Sequence, residues 1–412
     1  MSAAGQITDC VVLLGPELAP FRCARFAWSG DTITAVERIA PCKVLDDGAR
    51  VVIPGLYNSH THLGDSALPD GATGLTLEEG FFRPHGYKYR ELAKLTPATH
   101  QPHLEAHLRY MARSGTVAHL DFREQGPDGA RLLRAASDAT GVQSIILGQF
   151  NVSPFSDLEL RSNSPACGLP PAHEAELAAM LGVADGFSES TMNDLTSAAW
   201  AQIRARTTAA GKLRAIHCLE NAGYRDLSLA ITGRGDLARA LADYDPHLIV
   251  HLTVADAEEI ALLVRSGKTG VLNPRANATL GLPLPPVADL LRAGANLLLG
   301  TDNVMLNPPN VLAELDFTYK LARSQFSDAL SPDPVAVLKM ATSNIRAVLG
   351  GDHYGALEVG LPASFVVLDF TAGHLRHSRH LLASIVTRLT PADVLATYHH
   401  GRPLFQAPGF CS

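Results

Sequence analysis

The residues of this chain best suited to chemistry are histidines placed near carboxylates at the ends of apolar runs. There are 17 His in 412 residues, and imidazole is the commonest metal ligand near neutral pH. The first such run closes in Asn58-Ser-His60-Thr-His62. Side chains two apart on a strand share a face, so His60 and His62 can grip one cation. A His-Xaa-His tripeptide arises easily by chance in so His-rich a chain, and alone it is equally a pair of surface imidazoles in a turn. Three further runs end in the same residue types, in His217-Cys-Leu-Glu220, in His251, and in Thr301-Asp302-Asn303. A lone His within Leu248-Ile-Val-His-Leu is more often a hydrogen-bonded core residue, and an Asp after a strand is often a turn former or helix cap. The shared placement of all five residues favours metal binding and acid/base work.

Shared placement requires a frame that aligns strand ends. From Gly55 onward, apolar β-like runs alternate with Ala/Leu/Arg-rich amphipathic stretches, the texture of βα units. The runs are 55–60, 116–122, 143–150, 183–188, 213–219, 247–253, 270–273 and 296–301. Eight alternations predict a (β/α)8 TIM barrel over 55–354, with its active site at the C-terminal strand ends. Helices are expected over 103–114, 130–140, 174–181, 192–210, 237–244, 255–266, 287–293, 311–325 and 334–349. Residues 1–54 and 355–412 read as short strands and turns, and are expected to meet as one small β-sandwich domain beside the barrel. The segment Leu63–Thr96 is long and poor in regular periodicity, so it is either a functional lid or a misread stretch of regular structure.

Composition narrows the partners. The formal charge is −7, from 34 basic and 41 acidic residues without long runs of one sign. That argues against nucleic acid and anionic membrane surfaces and for a small-molecule substrate. Cysteines at 10, 23, 42, 167, 218 and 411 lack ribbon or disulfide-framework spacing. The first residues carry no signal-peptide pattern and no stretch is long and apolar enough to span a bilayer, so a cytoplasmic protein is expected. His100, His103 and His107 are expected on a solvated helix face, and His377, His380, His399 and His400 in the β appendage are expected to be inert.

The chain resembles the amidohydrolase superfamily, in particular its cytosine deaminase-like and triazine chlorohydrolase-like branch. The resemblance rests on Val52-Ile-Pro-Gly-Leu-Tyr-Asn-Ser-His-Thr-His62, Ser114-Gly-Thr116, His217-Cys-Leu-Glu220, Asn273-Pro-Arg-Ala-Asn277, Leu299-Gly-Thr-Asp-Asn303, Ala341-Thr-Ser-Asn344 and Gly355-Ala-Leu-Glu-Val-Gly360 running into Val366-Val-Leu-Asp369, in that order. It implies that His60, His62, His217 and Asp302 hold one divalent metal, zinc first and iron or manganese as alternatives. It also implies that Glu220 is the acid/base and that His251, with Asp302, handles the proton of metal-bound water. No Lys stands at the third or fourth strand end to bridge two metals, so a mononuclear site is expected.

The implied activity is that of an aminohydrolase, with metal-bound hydroxide attacking a nitrogen heterocycle and ammonia leaving. Alternatives are hydrolysis of another C–N or a C–Cl bond, and a catalytically silent binding protein. Residues after His62 lack the Arg-Gly stretch common in nucleoside-type deaminases, and Leu272-Asn273 replace the His-Cys that many relatives carry before the strand-seven proline. A different substrate pocket is therefore expected. Arg123, Gln149, Asn277 and Asn303 are its candidate contacts, with Arg83, His85 and Lys88 as candidate caps from the long loop. A homodimer is the default expectation for quaternary structure.

Overall fold

The computed structural model describes residues 4–351 and 353–410, so Cys411 lies outside it. The chain starts with strands β1 (Ala4–Leu14), β2 (Ala19–Ser29), β3 (Thr32–Pro41) and β4 (Arg50–Pro54). The barrel strands follow: β5 (Leu56–His62), β6 (Thr116–Arg123), β7 (Gln143–Gly148), β8 (Gly186–Phe187), β9 (Leu213–Cys218), β10 (Leu248–His251), β11 (Thr269–Leu272), β12 (Leu297–Leu299) and β13 (Asp302–Asn303). Strands β14 (Phe365–Asp369), β15 (Val394–His399) and β16 (Arg402–Gln406) then return to the first sheet. That sheet has the order β16-β15-β14-β4-β1-β2-β3. It curls so that Trp28 of β2 meets Phe365 of β14 and Tyr398 of β15 at ring separations of 4.8 and 5.0 Å, which encloses a small core of its own.

The second sheet runs β12-β11-β10-β9-β8-β7-β6-β5-β13, with every pairing parallel. Because β12 pairs with β11 and β13 pairs with β5, the two short strands are one interrupted eighth strand that closes the barrel. Alternation along the strands separates two apolar layers. Leu248 and Val250 pack with Ala215, Val271 and Leu298 on one face. Ile249 packs with Ile216, Leu272 and Leu297 and with residues of the surrounding helices on the other.

The expected elements occur with shifted boundaries. The run at 183–188 keeps only two paired residues, and the helix expected over 192–210 begins at Ser197, where Thr196 caps it by accepting from the Ala199 amide at 3.1 Å. The helix expected over 334–349 stops at Met340 because the Ala341 carbonyl turns to accept from the Tyr57 amide at 2.9 Å. Helices at Ala222–Thr232 and Leu381–Arg388 were not expected. The Leu63–Thr96 segment carries a turn at Leu63–Asp65 and short helices at Leu77–Phe81 and Tyr87–Leu92. Among the described residues no helix is long and apolar enough to cross a membrane.

The break in the eighth strand is stitched by Asn58, whose amide donates to Thr301 Oγ1 at 2.8 Å and accepts from the Thr301 amide at 3.1 Å. Gly300 lies in the break because a Cβ there would stand 2.4 Å from both His60 Cβ and the side-chain amide of Asn273. Gly300→Ala should therefore overpack the barrel seam and lower the unfolding free energy by about 1–3 kcal/mol, measured by urea denaturation; an unchanged midpoint would remove the close-approach role.

Candidate metal centre and active site

The site is built on β5 and the strands that flank it. Thr61 faces away from the pocket, where its hydroxyl donates to Asp121 Oδ2 at 2.8 Å, and the same carboxylate oxygen accepts from the Leu63 amide at 2.8 Å. This pins the strand end and presents His60 and His62 together on the opposite face. In the register between β13 and β5, Asp302 stands opposite Thr61, which brings Asp302 Oδ1 to 3.1 Å from His60 Nε2 and 3.7 Å from His62 Nε2. Strand β9 supplies His217, whose ring lies 4.9 Å from that of His60 and stacks on His62 at 5.5 Å. Strand β10 supplies His251, with ring centres 5.3 Å from His217.

Two overlapping groups could each hold a metal ion: His60, His62 and His217, and His60, His251 and Asp302. Within each group the ligand atoms lie within 4.8 Å of one another, and all five residues are buried. Leu219, His251, Leu252 and Asp302 are non-glycine residues with φ between +57° and +79°. Such backbones cost roughly 1–3 kcal/mol each and persist where surrounding structure imposes them. Here they turn the chain abruptly at the strand ends that carry the site.

Hydrogen bonding selects the imidazole tautomers. His62 Nδ1 lies 2.8 Å from Glu124 Oε1 and 2.9 Å from the Phe122 carbonyl, and His217 Nδ1 lies 3.0 Å from the Glu189 carbonyl. Carboxylates and carbonyls only accept, so both Nδ1 atoms carry the hydrogen and both Nε2 atoms keep a free lone pair. The Asn273 amide nitrogen donates to the Leu272 and Gly300 carbonyls at 3.2 and 3.1 Å, which turns its oxygen toward His251 Nδ1, 3.4 Å away. Burial depresses the imidazole pKa of His60 to about 3, of His251 to about 4, and of His217 well below the usual range. Burial alone would raise the Asp302 carboxyl, but the His60 hydrogen bond and the surrounding rings hold it well below the carboxylate range. Neutral nitrogens with directed lone pairs beside one ionised carboxylate are the donor set that zinc, iron or manganese accepts.

Glu220 sits just beyond β9, with Oε1 3.8 Å from His251 Nε2. Burial and the charge of Asp302 push its carboxyl up to about 8, so it holds a proton at neutral pH. The pocket over these residues is small, about 50 Å³, and is walled by His62, His217, Glu220, His251, Asp302 and Asn303. Leu77, Phe81, Lys88 and Tyr89 from the long loop, together with Ser190 and Tyr224, complete it. A larger cavity of about 480 Å³ adjoins it across Tyr89, lined by Arg83, Glu124, Phe150, Phe155, Glu189 and Asp194 among others.

The expected substrate contacts separate in space. Asn303 lines the metal pocket, where its amide donates to Asp65 Oδ2 at 2.7 Å. Asn277 is buried behind His251, 3.4 Å from Nδ1. Gln149 is buried with both amide atoms unpartnered. Arg123 is a correction: it is fully buried, donating from Nε to the Gly129 carbonyl and from Nη2 to Gln125, both at 3.0 Å. On β6 it points with Asp121 away from the pocket, whereas Phe122 contacts the His60 ring at 4.2 Å and Glu124 reaches His62. Of the loop cations, Lys88 reaches the metal pocket, Arg83 lines the adjoining cavity and His85 is exposed. His100 is also a correction, since it is buried against the barrel while His103 is exposed and His107 half-buried. Glu124, Tyr89 and Tyr224 were missed; for Glu124 the available signal was its position one residue past a strand end.

The raised carboxyl of Glu220 has a measurable consequence. A carboxyl whose folded pKa lies above its ordinary 4.5 stabilises the fold most below that value, and the contribution is lost as pH rises toward about 8. In metal-free protein, Glu220→Gln should therefore gain stability relative to the parent between pH 5 and 8, by on the order of a few kcal/mol, read by denaturation at a series of pH values. A difference that stays flat with pH would rule out the raised pKa.

Residues 51–404 match the amidohydrolase family. A "Putative aminohydrolase" of Methanothermobacter thermautotrophicus is 34% identical over 371 residues, covering 89% of this chain and 92% of that protein. A 5-methylthioadenosine/S-adenosylhomocysteine deaminase of Syntrophobacter fumaroxidans is 28% identical over 411 residues, with 96% and 91% covered. Among solved structures, an adenosine deaminase of Xanthomonas campestris with bound zinc superposes with a TM-score of 0.80 at 22% identity, covering 96% of this chain and 92% of that one. An atrazine chlorohydrolase of Arthrobacter aurescens complexed with zinc gives 0.81 at 17% identity, with 97% and 95% covered. With its barrel, its curled terminal sheet and its His/Asp cluster at the strand ends, the chain belongs to the amidohydrolase family.

Proposed function

We propose that the protein is a mononuclear aminohydrolase that releases ammonia from a nitrogen heterocycle, with His60, His62, His217 and Asp302 holding zinc, or iron or manganese in its place. The observation that carries this reading is the place of Glu220, a buried carboxyl in the pocket over the ligand cluster, 3.8 Å from His251 Nε2, where burial raises its pKa. Relatives named as deaminases support it. A divalent cation bound by these residues supplies Lewis acidity and lowers the pKa of water to about 7.

The chain's own groups account for the proton movements. Glu220 gives its proton to the ring nitrogen next to the carbon that bears the amino group, which makes that carbon electrophilic. His251 Nε2, with its Nδ1 turned to the Asn273 oxygen, takes a proton from the attacking water as the C–O bond forms. Glu220, now ionised and 3.8 Å from His251, is placed to pass that proton to the departing amine. As the C–N bond breaks and ammonia leaves, the proton of the new hydroxyl returns to the Glu220 carboxylate, so the ring keeps a carbonyl and one N–H and Glu220 is ready for another cycle. Leu77, Phe81, Tyr89 and Tyr224 wall the ring and exclude water. A substituent on the ring would extend across Tyr89 toward the 480 Å³ cavity, whose lining includes the charged groups of Arg83, Glu124, Glu189 and Asp194.

The test is ammonia release by zinc-loaded protein across aminopurines, aminopyrimidines, pterins and aminotriazines. Turnover of one ring class should fall about 10²- to 10⁴-fold in Glu220→Gln while zinc content stays at one per chain. Chloride release from a chlorotriazine without ammonia from any amino substrate would overturn the assignment, as would near-parental turnover in the variant.

A further inference from the structure

Two buried ion pairs join the Leu63–Thr96 segment to residues that hold the imidazoles of the metal centre. Lys88 Nζ, 3% exposed, pairs with Glu124 Oε1, and that same oxygen accepts from His62 Nδ1. Arg83 Nη2 pairs with Glu189, which is 1% exposed and whose backbone carbonyl accepts from His217 Nδ1. The two basic residues lie on one segment, and the two acidic ones lie just past the ends of β6 and β8. One stretch of chain is thus tied to two of the imidazoles through two independent intermediaries.

We propose that Glu124 is a positioning residue for His62 and that Lys88 holds it in place, so that seating of the 63–96 segment and the geometry of the metal ligands form one linked unit. The proposal rests on the reading of His62 as a metal ligand. A carboxylate hydrogen-bonded to the far nitrogen of a ligating His fixes its tautomer and ring orientation and raises its basicity. Glu124 is 2% exposed, and a buried carboxylate needs a counter-ion, which Lys88 supplies. Lys88 in turn is carried by Tyr87–Leu92, which packs through buried Leu92 and places Tyr89 in the wall between the two pockets. With its ammonium committed to Glu124, Lys88 is held as a clamp between loop and ligand. Because linkage is reciprocal, metal should order the segment as strongly as the segment favours metal.

The experiment measures zinc affinity by competition with a chelator, together with limited proteolysis of residues 63–96 with and without zinc. It uses the full-length chain and the variants His62→Ala, Glu124→Gln, Lys88→Arg, Lys88→Met and Glu124→Gln/Lys88→Met. Expected results are zinc binding weakened about 10- to 100-fold in Glu124→Gln, zinc protection of the segment lost in the same variant, and both properties retained in Lys88→Arg. The double variant removes both partners of the Lys88–Glu124 pair and serves if Lys88→Met does not fold; its affinity should equal that of Glu124→Gln alone. Unchanged affinity in Glu124→Gln, single effects that multiply in the double variant, or zinc protection that persists without Glu124 would each overturn the proposal. Unchanged zinc binding in His62→Ala would instead overturn the assignment of the metal ligands.

Discussion

The structure depends on one register: the pairing of the interrupted eighth strand with the first, Asp302 opposite Thr61 and Asn303 opposite His62. Parallel strands in adjacent positions lie about 4.8 Å apart, so this pairing carries a carboxylate from one end of the barrel sequence to the His60 imidazole 242 positions away. The same contact closes the sheet and removes its open edges. Asn58 and Gly300 serve both purposes, one by hydrogen-bonding across the seam and the other by lacking a side chain that would collide with His60. Barrel closure and assembly of the site are a single event.

Burial then sorts the protons. In one low-dielectric pocket, desolvation lowers the pKa values of His60 and His251 and raises that of Glu220, while hydrogen bonds and nearby rings hold that of Asp302 down. Groups whose proton affinities are pushed apart can give and take protons from one another at neutral pH. The left-handed backbones at Leu219, His251, Leu252 and Asp302 belong to the same economy of form, since each turns the chain where a side chain must meet its neighbours.

The alternation of apolar runs with amphipathic stretches made the barrel legible, because strand and helix periodicities are local properties. Local rules failed where another segment intervened. The helix after Pro334 reads as continuous, yet the Tyr57 amide from β5 captures the Ala341 carbonyl and ends it. Helix Ala222–Thr232 buries only Ser228 and leaves Leu227 and Leu229 exposed, so it is not one of the core-facing helices that hydrophobic period marks most clearly. Arg123 and Glu124 differ by a single position, and that position decides which one reaches the His62 ring. The parity of β6 is set by Asp121 binding Thr61 and Leu63 across the sheet.

The sequence by itself determined the fold class, the appended strands at both ends, and the set of residues standing at strand ends, because hydrophobic period and turn chemistry act over a few neighbours. It also carried the order of motifs by which the family is recognised. Only the tertiary structure decided which of those residues face one another, which imidazole nitrogen keeps its lone pair, that Glu220 retains a proton, and that Lys88 of the long loop reaches Glu124. Those outcomes depend on register between distant strands and on removal of water from charged groups, and both exist only after the barrel has closed.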